Sequence, residues 1–395
     1  MTRLRLGLVS MHTSPAREPG AGDAGGMNVV VLEQAKRLAA AGHVVDLITR
    51  RSDDGPDATE LAPRLSLRRV SAGPPENLSK GEHERHLDAF RHGLDALGPY
   101  DLLHSHHWFS GVAALPVARE RAIPHVQSFH SIAAPDGSSL AEGERAESAG
   151  RRAGEELLAR QSDAVVAVSR YEAGVARARL GAPSDALVVV PPGVDAELFT
   201  PAEAGPGRPG YVAAAGRIHP LKGLELAIDS LALLPHASRP RLVVAGEASP
   251  DLADYARGLR ERAARREVEA EFVGPRHRAQ LAQLFAHARA VLVPSHSETF
   301  GLVALEAAAA GAPVVAAARG GLPEAVEDDV TGILVASRDP AEWAGELGRL
   351  LGTGDLATRM GRAGRERAVA FTWERSAARL LVAYRNVLAA GRMGG

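Results

Sequence analysis

The stretch P-S-H-S-E-T-F-G-L-V-A-L-E-A, Pro294 to Ala307, decides how this chain is read. Apolar residues just ahead of it, Ala290 to Val293, read as a buried parallel strand, and Gly301 opens an Ala/Leu-rich helix. The first amides of such a helix have no partner within it, and with the helix dipole they form a seat for an anion. Glu298 precedes the helix and Glu306 lies in its second turn, so both carboxylates can point into one crevice. Carboxylates repel phosphate, and their natural partners here are neutral hydroxyls. A ligand that carries phosphates and polyols together, as a nucleotide sugar does, meets both demands.

Outward from this stretch, short apolar segments alternate with amphipathic helical ones, the pattern of parallel α/β sheets. In the first half, strands are expected at Leu4–Ser10, Val44–Thr49, Leu65–Val70, Leu102–His104, His125–Ser128, Ala164–Val168 and Leu187–Val190. Helix-period stretches lie between them, among them Val29–Ala41, Glu82–Leu97 and Gly143–Gln161. The pattern restarts at Tyr211–Ala215 and runs through Arg241–Ala245, Glu271–Val273, Ala290–Pro294, Pro313–Ala316 and Gly332–Val335. Two Rossmann-like domains are expected, spanning 1–195 and 196–372. Their joint falls at P-P-G-V-D, Pro191 to Asp195, or in the Pro/Gly-rich stretch Thr200 to Gly210. Asp339-Pro340 reads as an N-cap followed by proline at the first helical position. The last helix, from Thr372-Trp373 through 373–395, is expected to pack back on the first domain.

Composition sets the outer bounds. A chain of 395 residues exceeds the size at which one core usually divides. Its 46 basic residues nearly balance 48 acidic ones and no run of one sign appears, which argues against nucleic acid and membrane-surface partners. There is no cysteine, hence neither a disulfide framework nor a thiolate metal site. No segment approaches the apolar length of a membrane span and the first residues lack a signal-peptide core, so a cytoplasmic location is expected. Arginine outnumbers lysine 43 to 3, which draws attention to Lys36, Lys80 and Lys222. A GC-rich genome with chance survivors explains such a bias equally well.

G-R-I-H-P-L-K-G, Gly216 to Gly223, follows the first strand of the second half and brings Arg217 and Lys222 to the carboxyl edge of that sheet, where open α/β sheets bind ligands. Two cations there can neutralise a departing diphosphate without a metal, against the plain alternative of solvated loop charges. G-A-G-D-A-G, Gly20 to Gly25, spells the dinucleotide fingerprint, yet residues Met11 to Pro19 separate it from its strand, whereas a dinucleotide turn follows the strand directly. Its continuation G-G-M-N-V-V-V lets Gly25 and Gly26 open a helix with no side chain to block a phosphate. H-S-H-H-W, His104 to Trp108, and F-H-S, Phe129 to Ser131, end two strands with histidine. Their spacing matches no zinc motif, and His130 reads better as a donor to a sugar hydroxyl. G-G-L-P-E, Gly320 to Glu324, is as well explained by a simple turn as by ligand contact.

G-G-M-N, P-P-G-V-D, G-R-x-x-P-x-K-G and E-T-F-G-L-V-A-L-E, in this order, resemble the retaining nucleotide-sugar glycosyltransferases of the GT-B fold, two facing Rossmann-like domains. The resemblance spans nearly the whole chain. Through H-T-S-P-x-x-x-P-G-x-G-D-A-G-G-M-N-V, His12 to Val29, and H-S-H-x-W-x-S-G it extends to the members that open mycothiol synthesis with N-acetylglucosamine and an inositol 3-phosphate. It implies an acceptor-binding first domain and a donor-binding second one, assigns the diphosphate to Arg217 and Lys222, helped by Gly26 and the amides after Phe300, and counts Gly25, Thr299, Phe300, Gly301 and Leu302 among the donor-binding residues. Glu306 is assigned to the ribose, Glu298 to donor sugar hydroxyls, His130 to the region of the 6-hydroxyl and Arg276 to the uracil edge. For the acceptor it implies Lys80, Ser131, Arg151 and Asn28, with His107 standing where the family usually has tyrosine.

The chemistry thus implied is transfer of N-acetylglucosamine from UDP with retention and front-side attack, with no cofactor beyond the nucleotide sugar and no metal. Similar enzymes are often dimers, which makes a homodimer an expectation. Three alternatives stay open from the residues: a different acceptor such as an aminocyclitol or a sugar phosphate, an NAD-dependent oxidoreductase, and a non-catalytic nucleotide-sugar sensor.

Overall fold

The structure is a computed structural model that describes residues 3–17, 25–202 and 210–393. Residues 20–24 of the fingerprint-like stretch, and residues 203–209 of the candidate joint, lie outside the described residues.

Strands buried on both faces need near-continuous apolar runs, and most strands here have them. The first sheet contains β1 (Arg5–Val9), β2 (Val44–Arg50), β3 (Ala58–Ala62), β4 (Leu65–Val70), β5 (Leu102–His106), β6 (His125–Ser128), β7 (Ala164–Ala167) and β8 (Leu187–Val189). Their order is β3-β4-β2-β1-β5-β6-β7-β8, parallel throughout except for β3, which pairs antiparallel with β4 at the edge. The second sheet contains β9 (Tyr211–Ala215), β10 (Arg241–Ala245), β11 (Ala270–Gly274), β12 (Val291–Val293), β13 (Val314–Ala317) and β14 (Gly332–Val335). Its order, β11-β10-β9-β12-β13-β14, is the doubly wound Rossmann arrangement.

Each sheet changes winding direction once, between β1 and β5 in the first and between β9 and β12 in the second. Ligands of open α/β sheets bind at the carboxyl ends of the strands flanking such a point. Those ends carry Ser10 to His12 and His107 in one domain, Gly216-Arg217 and Pro294 to Glu298 in the other.

Helices cover both faces. On one face of the first sheet, Leu6, Leu8, Leu102 and Val126 pack with Val31, Ala35 and Leu38 of helix Gly26–Ala40 and with Leu380 and Tyr384 of the terminal helix Trp373–Met393. That terminal helix therefore crosses back to the first domain. Its contacts are also polar: Gln34 Nε2 donates to Ser376 Oγ at 3.0 Å, and His104 Nδ1 lies 2.7 Å from the Tyr384 hydroxyl. Trp373, buried at its start, packs against Val29 and Val30 of the first domain and Leu302 of the second, so it wedges together the starts of two helices. Asp339 caps helix Pro340–Gly352, its carboxylate accepting from the Ala341 amide at 2.9 Å.

Two expected helices are shorter than their periodicity implies. Glu82–Leu97 divides into a 3-10 segment, Lys80–His86, and a helix, Leu87–Asp95. Gly143–Gln161 is helical only from Arg151, because Gly143 takes a left-handed φ of 120° and the following residues form an irregular segment. Among the described residues no helix is long and apolar enough to cross a membrane.

Burial of histidine sets an acid limit on this fold. His125 on β6 is enclosed between Ser105 Oγ at 2.9 Å and Ser162 Oγ at 3.0 Å, and burial, reinforced by Arg119, pushes its pKa down from 6.5 to about 3. Burial and the charge of Arg50 bring His83 to about 3 as well. The unfolded chain protonates these rings near 6.5 and the folded chain does not, so stability is whole above that pH and is lost as pH falls toward 3, by about 2 kcal/mol for each ring at pH 5. Glu172, raised by burial to about 7, works in the opposite sense between pH 4.5 and 7. Urea unfolding at pH 7 and pH 5 should show the loss, and His125→Gln should shrink the difference between the two midpoints. An unchanged difference would remove His125 from this account.

Candidate active site

The site is assembled from loops at the carboxyl ends of both sheets, which converge on one cavity of about 310 Å³. After β9 the chain turns through Gly216 and Arg217 into His219, whose Nδ1 accepts from the Leu221 amide at 3.1 Å and starts the short turn Pro220–Lys222. This turn aims Lys222 at the next loop. Its Nζ donates to Glu298 Oε1 at 2.6 Å, and Ser295 Oγ donates to the same oxygen at 2.8 Å. One carboxylate oxygen of Glu298 thus holds both Lys222 and Ser295.

Gly301 ends that loop with a φ of 101°, a conformation that strongly favours glycine, and turns the chain into helix Leu302–Ala309. Thr299 to Leu302 line the cavity at this helix start. Inside the helix, Glu306 is buried and accepts from Arg278 Nη1 at 2.7 Å. Burial raises its pKa, and Arg278 opposes that rise. The Arg278 guanidinium itself lies 5.1 Å from the Phe199 ring centroid. Sequence reasoning assigned Arg276 to this region and missed Arg278; both line the cavity, and the partner of Glu306 is Arg278.

From the first domain come Gly25 and Gly26 at the start of helix Gly26–Ala40, Lys80, and the ends of β5 and β6 with His107, His130 and Ser131. His130 adopts a φ of 58°, uncommon for a residue with a side chain, and its Nε2 lies 2.9 Å from His106 Nδ1. Burial pushes its pKa down to about 4, so the ring is neutral near pH 7. His107 also has a positive φ, and both of its buried ring nitrogens lack a hydrogen-bond partner. Burial, then the neighbouring His12, keeps this ring well below its usual pKa.

Fifteen of the residues singled out in the sequence line the cavity: Gly25, Gly26, Lys80, His107, His130, Ser131, Arg217, Lys222, Arg276, Glu298, Thr299, Phe300, Gly301, Leu302 and Glu306. Asn28 and Arg151 do not. Asn28 is buried behind the helix start, where its Oδ1 accepts from the Gly25 amide at 3.2 Å and its Nδ2 donates to Thr13 Oγ1 at 3.0 Å and Ser14 O at 2.7 Å. Arg151, fully buried, bonds Glu155, Glu147 and the oxygens of Ser131. Both therefore act as supports of the cavity wall rather than as its surface. Sequence reasoning also missed Glu144, a cavity residue whose carboxylate lies 3.1 Å from Lys80 Nζ, 3.7 Å from Arg151 Nη1 and 3.8 Å from Arg217 Nη2. Burial would raise its pKa, but Lys80, Arg217 and Arg151 together hold it well below the carboxylate range.

Gly320 to Glu324 supports the site from outside the cavity. The Gly321 amide donates to Glu298 O at 2.8 Å, while Glu324 accepts from the Arg170 and Tyr171 amides at 3.1 and 3.0 Å, capping helix Arg170–Leu180 of the other domain.

Two facing Rossmann-like domains with a cation-lined cleft between them define a glycosyltransferase of the GT-B fold. Residues 24–198 match the family described as Glycosyltransferase Family 4, and residues 197–367 match Glycosyl transferases group 1. The chain belongs to the group 1 glycosyltransferase family, which sets the oxidoreductase alternative aside. It is 41% identical to the D-inositol 3-phosphate glycosyltransferase of Stackebrandtia nassauensis, covering 97% of this chain and 92% of that one. With the protein of the same name from Streptomyces coelicolor it shares 39% identity over 95% of this chain and 90% of the relative. Among solved structures, sucrose-phosphate synthase from Thermosynechococcus elongatus superposes with a TM-score of 0.89 at 30% identity, covering 98% of this chain and all (100%) of that one. Anabaena HepE in complex with UDP and glucose has a TM-score of 0.77 at 19% identity, over 97% of this chain and 100% of that one, a likeness of fold.

Proposed function

We propose that this chain transfers N-acetylglucosamine from UDP-N-acetylglucosamine to a hydroxyl of 1D-myo-inositol 3-phosphate, with retention at the anomeric carbon and without a metal. The observation that carries this reading is the meeting, in one cavity, of Arg217, Lys222 and the helix start at Gly301 from the second domain with the helix start at Gly25-Gly26, Lys80, His107 and Ser131 from the first. Near-full-length relatives at about 40% identity named D-inositol 3-phosphate glycosyltransferase support the choice of acceptor.

In this reading Arg217, Lys222 and the amides of Gly26 and of Phe300 to Leu302 hold the diphosphate. Glu306 takes the ribose, the second oxygen of Glu298 a sugar hydroxyl, and neutral His130 donates near the 6-hydroxyl. The acceptor oxygen forms its bond to the anomeric carbon on the face that the diphosphate leaves, and the acceptor's proton passes to the departing phosphate oxygen. Rate then comes from stabilising charge on the leaving group and from orienting two substrates. A sugar phosphate is the second acceptor reading, favoured by the 30% identity with sucrose-phosphate synthase.

A panel of UDP and GDP sugars against inositol 3-phosphate, unphosphorylated inositol, aminocyclitols and sugar phosphates tests the proposal, with the product's anomeric coupling reporting stereochemistry. UDP-N-acetylglucosamine with inositol 3-phosphate should dominate. Lys80→Ala removes a charge-assisted hydrogen bond, so the KM for the phosphorylated acceptor should rise about 10- to 100-fold, with a far smaller change in donor KM. Equal use of phosphorylated and unphosphorylated inositol would overturn the acceptor assignment.

A further inference from the structure

We propose that the Glu144 carboxylate occupies the seat of the acceptor's phosphate and is displaced by it, so that this side chain sets how tightly an anionic acceptor binds. The inference rests on the reading of the acceptor as a polyol phosphate. Carboxylate and phosphate compete for the same partners, and the three cations around Glu144 come from separate elements: Lys80 and Arg151 of the first domain and Arg217 of the second.

Formal charge explains why something must leave. Around Lys80 and Arg151 stand three acidic side chains: Glu144, Glu147, whose carboxylate lies 3.9 Å from Lys80 Nζ and also bonds Arg151, and Glu155, 2.8 Å from Arg151 Nε. With Arg217 the three cations just balance these three carboxylates, so a phosphate added to the set brings negative charge that no cation offsets, at distances where repulsion is strong in a partly dehydrated site. Two of the three are anchored by other bonds. Glu155 accepts from the Ala133 amide at 3.0 Å, and Glu147 accepts from Trp108 Nε1 at 2.7 Å. Glu144 lines the cavity and its carboxylate is held by the cations. Its backbone is tethered, the Ala134 amide donating to Glu144 O at 2.7 Å, so release needs a side-chain rotation and no rearrangement of the chain.

A second observation marks the same place as a seat for a ligand. His107, 2% exposed and lining the cavity, has no partner for either ring nitrogen, and neither has His12 Nδ1, the two rings lying 4.4 Å apart. Buried polar atoms of this kind are rarely left unpaired, and acceptor oxygens would satisfy them.

Occupancy by Glu144 lowers apparent anion affinity by the fraction of molecules in which the seat is empty. If that fraction is about 1 to 10%, removing the carboxylate tightens anion binding about 10- to 100-fold. The experiment is calorimetric titration of the full chain, saturated with UDP, with inorganic phosphate and separately with inositol 3-phosphate. Glu144→Gln should bind phosphate at least about tenfold more tightly than the unmodified chain, and Lys80→Gln added to it should cancel the gain. Glu144→Asp, with its shorter reach, should give an intermediate gain and serves if the glutamine variant fails to fold. Unchanged or weaker phosphate binding in both variants would overturn the proposal. Should phosphate binding tighten while inositol 3-phosphate is not a substrate, the seat stands and the acceptor reading falls. Turnover of inositol 3-phosphate without tightening in the variants leaves the acceptor reading and removes the role of Glu144.

Discussion

Lys222→Ala should lower turnover on the order of 10²-fold or more while the protein stays folded. Lys222 is partly exposed, and its side-chain bond of 2.6 Å to Glu298 joins two loops that the His296 amide, donating to Leu221 O at 2.7 Å, already holds together. Exposed ion pairs contribute little to stability, so the loss falls on function. In the proposed reaction the ammonium faces charge that develops on the leaving diphosphate, and an interaction stronger in the transition state than in the ground state appears in kcat. The donor KM should change less than kcat. Lys222→Arg keeps the charge but not its compact geometry, and should recover part of the activity. Steady-state kinetics of both variants, with unfolding midpoints as the control, checks this. Near-normal turnover in Lys222→Ala would remove Lys222 from the chemistry.

Parallel strands are legible in this sequence because a strand covered on both faces must be apolar along its length, as Val291–Val293 and Val314–Ala317 are. Strand β3, A-T-E-L-A, escapes because it is a half-exposed antiparallel edge with no such run. Motifs at strand ends locate Arg217, Lys222, Glu298 and Glu306 because local geometry alone carries each of them to the sheet's carboxyl edge. Residues whose roles depend on distant partners are not legible in this way. Glu144 meets a lysine 64 positions earlier and an arginine of the other domain, and helical periodicity over Gly143–Gln161 conceals the irregular segment that brings it there. Arg278 and Glu306 pair across 28 positions, where spacing distinguishes Arg276 from Arg278 no better than chance. Asn28 illustrates the converse: the motif places it correctly at a helix start, but its side chain is consumed in closing that start against Thr13 and Ser14.

Gly320→Ala should cost on the order of 10²-fold in kcat/KM although the residue does not line the cavity. Gly320 holds a φ of 59°, where a side chain costs roughly 1–2 kcal/mol. A Cβ at this position would also overlap the carbonyl oxygen of Glu298. Backbone cannot yield as a flexible side chain can, so the turn and the Glu298 loop must part. That loop positions Lys222 through Glu298 and brings Thr299 to Leu302 to the cavity, where the proposed reaction seats the diphosphate, and the same turn leads to Glu324, which caps the first domain's helix Arg170–Leu180. One methyl group therefore disturbs the donor seat and a contact between domains together. Gly258→Ala, in helix Ala253–Arg265 with open space around it, is the control and should be neutral or slightly stabilising. Kinetics, UDP titration and unfolding of the two variants separate the effects. A Gly320→Ala protein that loses stability yet binds UDP and turns over normally would show that the G-G-L-P-E turn is a structural element alone.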